Sequence, residues 1–495
     1  MVVYARLIIT AIIGLVTSRY VLQILGASDF GLYSVIGGII ALFTFISGSL
    51  QATSVRFINF EMGKPHGDLN EIFSTSRQIH IFFSLIIFVL AEIVGVIYIL
   101  QYLNVEAEKI SDALYVFHVS LIATCLGIIN IPYQGMLVAY EKFEIIAVID
   151  TLNVISKLLL VIFLIHYGGN ALRLYALGMS LLTISSFLIY LFICKKNWPE
   201  VVKWKIARDK QKHKEMLVFN NYTLLTTVSL LTRNQGSNML INFFFGTVVN
   251  AAYAISNTIH VYVNTFAGCF DQASSPQITQ SLSKGDNERA LYLVNHTCRI
   301  CLLLVEIIYF IAIADVDLML YLWLGDRVPS GTNVFSFLTL FLAIVSASSG
   351  GLVQYINAIG RLKWYSISIS VLYFIALCFG LLLYQHGYAA YTIIILFIIA
   401  DSVNRALQLF LLNKMTSFPV KRFIKEAYLR PLMVFIIGLC VVYTYRQFLI
   451  SSLAVKLIFT TLIGIIMIFT AFYIGLYPVE RKKIISHIKS KFITK

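Results

Sequence analysis

The chain has 495 residues, of which 59% are hydrophobic and only 13% charged. A soluble globular protein carries about a quarter charged residues, so this composition excludes one and demands a lipid environment. The net charge of +14 needs no nucleic-acid partner. Its densest runs, "CKKNWPEVVKWKIARDKQKHK" (194–214) and "ERKKIISHIKSK" (480–491), read as basic anchors on anionic membrane lipid.

Apolar runs of about 20 residues exclude an outer-membrane barrel, whose strands are short and alternating. Bounded by charge, Gly and Pro, the runs predict fourteen transmembrane helices and an all-α polytopic membrane protein. Approximate spans are 3–25, 30–52, 79–101, 113–139, 145–167, 171–194, 216–246, 250–273, 292–315, 333–358, 364–386, 389–412, 431–450 and 453–477. The first run is too long for a signal peptide and lacks a small-residue cleavage site. So few residues precede Arg6 that a shortened N-terminus is expected. In the fourth span Pro132 ("NIPYQG") predicts a kink or a freed backbone carbonyl that neighbouring groups must satisfy. "SASSGG" (346–351) in the tenth span predicts close packing or a bend.

Lysine and arginine fix the direction. Of the 38, 28 fall on alternate connections assigned to the cytoplasm, four (Lys109, Arg173, Arg327, Arg446) on the other side, and six within spans. Both termini are therefore expected in the cytoplasm. The seven cysteines lie in or beside apolar runs, so neither a disulfide framework nor a metal site is expected, and Cys298-x-x-Cys301 reads as helix packing. No Gly-x-x-x-x-Gly-Lys-[Ser/Thr] phosphate loop occurs, and the longest outer connection, 316–332, is too short for a catalytic domain. An enzyme and a cofactor are not expected.

The chain also repeats. "LGASDFGLYSVIGGIIALFTFISG" (25–48) aligns without a gap with "FGTVVNAAYAISNTIHVYVNTFAG" (245–268), at an offset of 220. "AYEKF" (139–143) aligns with "AIGRL" (358–362) at 219. Six spans separate the equivalents, an even number, so the duplication is parallel, with its two-fold axis along the membrane normal. The expected organisation is an N-terminal lobe over 1–215, a C-terminal lobe over 216–412, and a final helix pair with a basic tail over 413–495.

The stretch "TSRYVLQILGASDFGLYSVIGG" (17–38) resembles the start of Wzx-type polysaccharide flippases, of the multidrug/oligosaccharidyl-lipid/polysaccharide (MOP) exporter superfamily. The family's Leu-Gly, acidic residue and Gly-x-Tyr pattern falls on Leu25, Gly26, Asp29, Gly31 and Tyr33. The polar loop after the second span, the short turn between the fourth and fifth, and the helix count agree. The resemblance implies a bacterial plasma-membrane protein that moves a polyprenyl-pyrophosphate-linked oligosaccharide to the outer leaflet by alternating access. It implies a cationic cavity between the lobes, lined by spans 1, 2, 7 and 8. A polysaccharide polymerase and a chain-length regulator would be partners. The alternative is an ion-coupled small-molecule or drug exporter of the same superfamily.

In the seventh span, "LLTRNQGSNMLINFFFG" (230–246), Arg233 lies thirteen residues before Gly246, roughly 20 Å along a helix and too deep to reach water easily. Thr226, Ser229, Arg233 and Ser237 share one stripe, with Asn234 and Asn238 beside it. Such a stripe usually faces a wet cavity, where Arg233 and Arg19 of the first span would suit a pyrophosphate and the asparagines sugar hydroxyls. A buried ion pair is the other reading of Arg233. The fifth span carries Asp150, Asn153 and Lys157 on one face, and the twelfth Asp401, Asn404, Arg405 and Gln408. Asp401 and Arg405 are spaced as an i,i+4 ion pair, which either stays structural or couples transport to H⁺ or Na⁺. Glu92, His118 and Glu306 are lone ionisable groups within spans.

Overall fold

A computed structural model describes scattered positions between 13 and 42. From 43 onward it describes all residues but 66, 102, 104–106, 325–327, 417, 448–451, 483–484 and 487–495. Among the described residues every regular element is helical. Nine helices there are long and apolar enough to cross a membrane: Leu69–Gln101, Ile110–Ala139, Phe143–Ile165, Ala171–Asn197, Asn287–Ala314, Lys363–Gln385, Thr392–Thr416, Val420–Arg446 and Leu453–Gly475. The expected seventh and eighth spans form one helical stretch, Lys210–Ser283, broken at Gly246. The first expected span, and the second up to Ile46–Gly63, fall on positions described only in part.

The connection expected between the eighth and ninth spans, 274–291, is almost wholly helical. Helix continues to Ser283, turns at Gly285 (φ +78°), and restarts at Asn287, where Asp286 accepts the Arg289 amide at 3.1 Å. A left-handed glycine and a side-chain cap shorten the connection to one turn. The tenth span bends as its glycines predict: Thr332–Ala347 and Leu352–Ile359 meet at 45°. At the break Gly351 has φ +71°, and a Cβ there would lie 2.8 Å from the Val294 carbonyl.

The chain parts into two compact units, Met1–Thr227 and Val228–Lys495. In the first, Ile110–Ala139 packs against Ile46–Gly63, Leu69–Gln101 and Ala171–Asn197, and Phe143–Ile165 packs on Ala171–Asn197. In the second, Thr332–Ala347 packs against Asn287–Ala314 and Thr392–Thr416, while Lys363–Gln385 packs on Thr392–Thr416. This is one pairing scheme used twice, and the offset of 220 survives in atomic contacts. Gln51 donates to Gln134 at 3.5 Å, and their equivalents Gln354 and Asp271 bond at 2.9 Å.

Lipid supplies no hydrophobic drive between helices, so close packing and polar contacts must hold them together. The last two helices show this. Gly438 admits the Phe310 ring, Gly475 admits Leu303, and Ile311 packs over Gly464, all on the helix Asn287–Ala314. Lys456 pairs with Asp315 at 2.9 Å, and Arg446 donates to the Ile313 carbonyl at 2.7 Å.

Candidate functional site

Arg233 is 8% exposed and sits among groups from three helices of the second unit. Its guanidinium donates to the Tyr373 hydroxyl at 3.1 Å and to Asp401 Oδ2 at 3.4 Å, and Tyr373 donates to Asp401 Oδ1 at 2.6 Å. The rings of Tyr373 and Phe397 lie 5.2 and 5.0 Å from the guanidinium carbon. Asp401 is 4% exposed. Charge, carboxylate and phenol thus form a closed triangle. Its cohesion is coulombic, because either ion alone in an apolar interior would be costly.

This corrects two expectations. The stripe Ser229–Arg233–Ser237 does not front open space. Ser229 bonds Ser370 at 2.6 Å and Arg233 bonds Tyr373, so the helix Lys363–Gln385 covers it. Asp401 is paired, but with Arg233 rather than Arg405. Arg405 instead donates to Ser348 at 3.2 Å and to Gln408, one turn on along its own helix, at 2.6 Å, while Asp401 is engaged by Arg233 and Tyr373 from other helices. Of the two readings of Arg233, the structure shows the buried ion pair.

The remaining candidates are scattered. Ser237 is buried and donates to the Arg233 carbonyl at 2.7 Å, while Asn238 donates to the Asn234 carbonyl at 3.2 Å, so both serve the helix that carries them. Asn153 accepts from Ser186 at 2.9 Å. Asp150 lies one turn earlier on the same face and is partly buried. Lys157, one turn further on, makes no hydrogen bond or ion pair among the described residues. Asp29 pairs with Lys109 at 2.6 Å, and Tyr33 meets Tyr175 edge-on at 5.0 Å. Arg19, Gly26 and Gly31 lie outside the described residues. Glu92 and His118 pair at 2.8 Å, and Glu306 is buried with one carboxyl oxygen lacking a hydrogen-bond partner.

Sequence reasoning missed three groups. Tyr373 passed as one aromatic among many. Asp271 accepts the Gly351 amide at 2.6 Å and the Gln354 amide at 2.9 Å, holding the bend of the tenth span. The repeat was the available signal, since Asp271 stands at the equivalent of Gln51. The third group holds residues 200–205 against the helix Leu69–Gln101, within the first unit. Arg77 donates to the Val202 and Lys205 carbonyls at 3.3 and 3.2 Å and lies 4.2 Å from the Trp204 ring. Asn70 donates to the carbonyls of Glu200 and Val201, both at 2.9 Å. The Glu71 carboxylate bonds Lys205 and holds its ammonium above the usual lysine range.

The long apolar helices define a multi-pass membrane protein, and its fold is that of MOP-superfamily transporters. Solved structures agree. A MOP superfamily transporter from Pyrococcus furiosus superposes with a TM-score of 0.69 at 12% identity, over 84% of this chain and 94% of its own. A MATE in complex with MaL6 gives 0.69 at 13%, over 84% and 94%. A variant of the Vibrio cholerae MATE transporter VcmN gives 0.67 at 14%, over 85% and 95%. No curated protein matches the sequence significantly. Residues 2–282 match the family described as "Polysaccharide biosynthesis protein", and the chain belongs to that family. The resemblance to Wzx-type members of the MOP superfamily is thereby borne out.

Proposed function

We propose that the protein moves a polyprenyl-pyrophosphate-linked oligosaccharide from the cytoplasmic to the outer leaflet of a bacterial plasma membrane, by alternating access, for surface-polysaccharide synthesis. The observation that carries the reading is the family match over residues 2–282, on a fold shared with MOP transporters. The Lys/Arg distribution supports cytoplasmic termini. Intramembrane charge supports an anionic cargo: Lys157 has no counter-charge among the described residues. Arg233 is a cation whose counter-ion is a single carboxylate.

Arg233 takes a conditional role in this reading. While Asp401 accepts from it, its charge is neutralised; when Asp401 is protonated or drawn away, the guanidinium is released to a diphosphate, which it binds bidentately. Asp401 then acts as the stand-in for the cargo's own charge.

Deletion of the gene in its native host tests the reading. Lipid-linked repeat units should accumulate on the cytoplasmic leaflet while surface polysaccharide falls, and the wild-type gene should restore both. Normal polysaccharide with raised sensitivity to cationic drugs would instead establish the small-molecule exporter.

A further inference from the structure

Residues of 207–221 line an open cavity of about 710 Å³ in the first unit, apart from the Arg233 cluster. Its backbone is fixed from below. Glu71 Oε1 accepts the amides of Arg208 and Asp209 at 3.1 and 3.3 Å, and Asp209 Oδ1 caps the following helix through the amides of Gln211 and Lys212 at 2.9 and 3.2 Å. The His213 ring is held between the Asp209 carbonyl at 2.8 Å and Gln78 at 2.9 Å.

The cations of this segment divide in two. Lys205 is paired with Glu71 at 2.9 Å and Lys212 with Glu61 at 3.8 Å, both away from the cavity lining. Arg208, Lys210 and Lys214 line the cavity, and among the described residues none of them makes an ion pair. Leu217 and Val218 continue the lining, with Asn221 one turn further on. Lys214 and Val218 are one turn apart, about 6 Å along the axis, so a charged end and an apolar end share one helical face. That order suits a ligand with an anionic head joined directly to a hydrocarbon chain.

We propose that this cavity captures the diphosphate head of a polyprenyl lipid on the cytoplasmic side, with Leu217 and Val218 against the first isoprene units. The inference rests on the flippase reading and adds a site to it. A phosphodiester carries a single negative charge and leaves most of three clustered cations uncompensated. A diphosphate carries more, and the Arg208 guanidinium offers it a bidentate contact that a lysine does not.

The test uses the full-length protein in phosphatidylcholine nanodiscs, titrated with farnesyl diphosphate. The variant Arg208→Gln/Lys214→Gln should weaken binding about tenfold or more, as expected for losing charge-assisted contacts. Lys195→Gln/Lys196→Gln removes equal charge nearby and should change it little. Melting without ligand should match wild type in both, and Lys214→Gln alone, a milder change, should give an intermediate loss. Equal loss in the two double variants, or none in the first, overturns the site. If phosphatidylglycerol displaces the probe at equal mole fraction, the site belongs to a phospholipid and the diphosphate assignment falls. Wild type that binds no farnesyl diphosphate, yet restores surface polysaccharide to the deletion host, overturns the capture site and leaves the flippase reading standing.

Discussion

Arg233 and Asp401 stand 168 residues apart in sequence and 3.4 Å apart in space, joined again through Tyr373. Removing one member of a buried ion pair strands the other and costs about 3 kcal/mol or more, whereas replacing both with apolar groups of similar volume is often near neutral. Arg233→Met and Asp401→Leu should therefore each lower the unfolding midpoint in detergent, and the double variant should recover most of that loss. Export, read as surface polysaccharide, should fail in all three, because the recovered stability contains no cation for the cargo. Additive losses in the double variant would show that the two charges do not sense each other. Charge reversal at Arg233 with normal expression and normal export would remove it from the transport path. The sequence offered Arg405 as the partner of Asp401, since an i,i+4 spacing is visible in one dimension. A partner brought by a different helix is not.

Breaks in helices decide where an element yields. Gly246 interrupts Lys210–Ser283 at φ +79° and ψ −174°, a region essentially reserved for glycine, with no atom within 4 Å of a built Cβ. Gly351 combines φ +71° with the Val294 carbonyl 2.8 Å from a built Cβ. Alanine at Gly246 should thus cost only backbone strain, about 1–3 kcal/mol. Alanine at Gly351 adds a backbone clash and should cost more. Thermal unfolding of the two variants checks this order, and an equal or reversed cost would mean that the bend at 351 relaxes freely. "SASSGG" made this bend legible. Asp271, which fixes it, became legible only through its symmetry mate Gln51.

At the scale of the molecule, hydropathy gave most of the architecture, because a bilayer demands long apolar helices whatever their packing. The repeat was legible for a related reason. Two halves that must pair their helices alike retain small and polar residues at the same places, as Gln51–Gln134 and Asp271–Gln354 do. Helix ends were less legible: the connection expected at 274–291 is helix up to Ser283 and again from Asn287. Nothing in hydropathy distinguishes a helix that leaves the bilayer from a coil that does so. The site was legible in its residue types but not in its pairings, since Arg233 was singled out and its partners were not.

Reconstitution tests the central claim most directly. The purified protein in liposomes, supplied with a fluorescent polyprenyl-diphosphate oligosaccharide in both leaflets, should bring the inner-leaflet fraction within reach of an external quencher. Arg233→Met should slow this strongly, and a cationic dye enclosed in the same liposomes should stay inside. Efflux of the dye with the labelled lipid left in its leaflet would contradict the account.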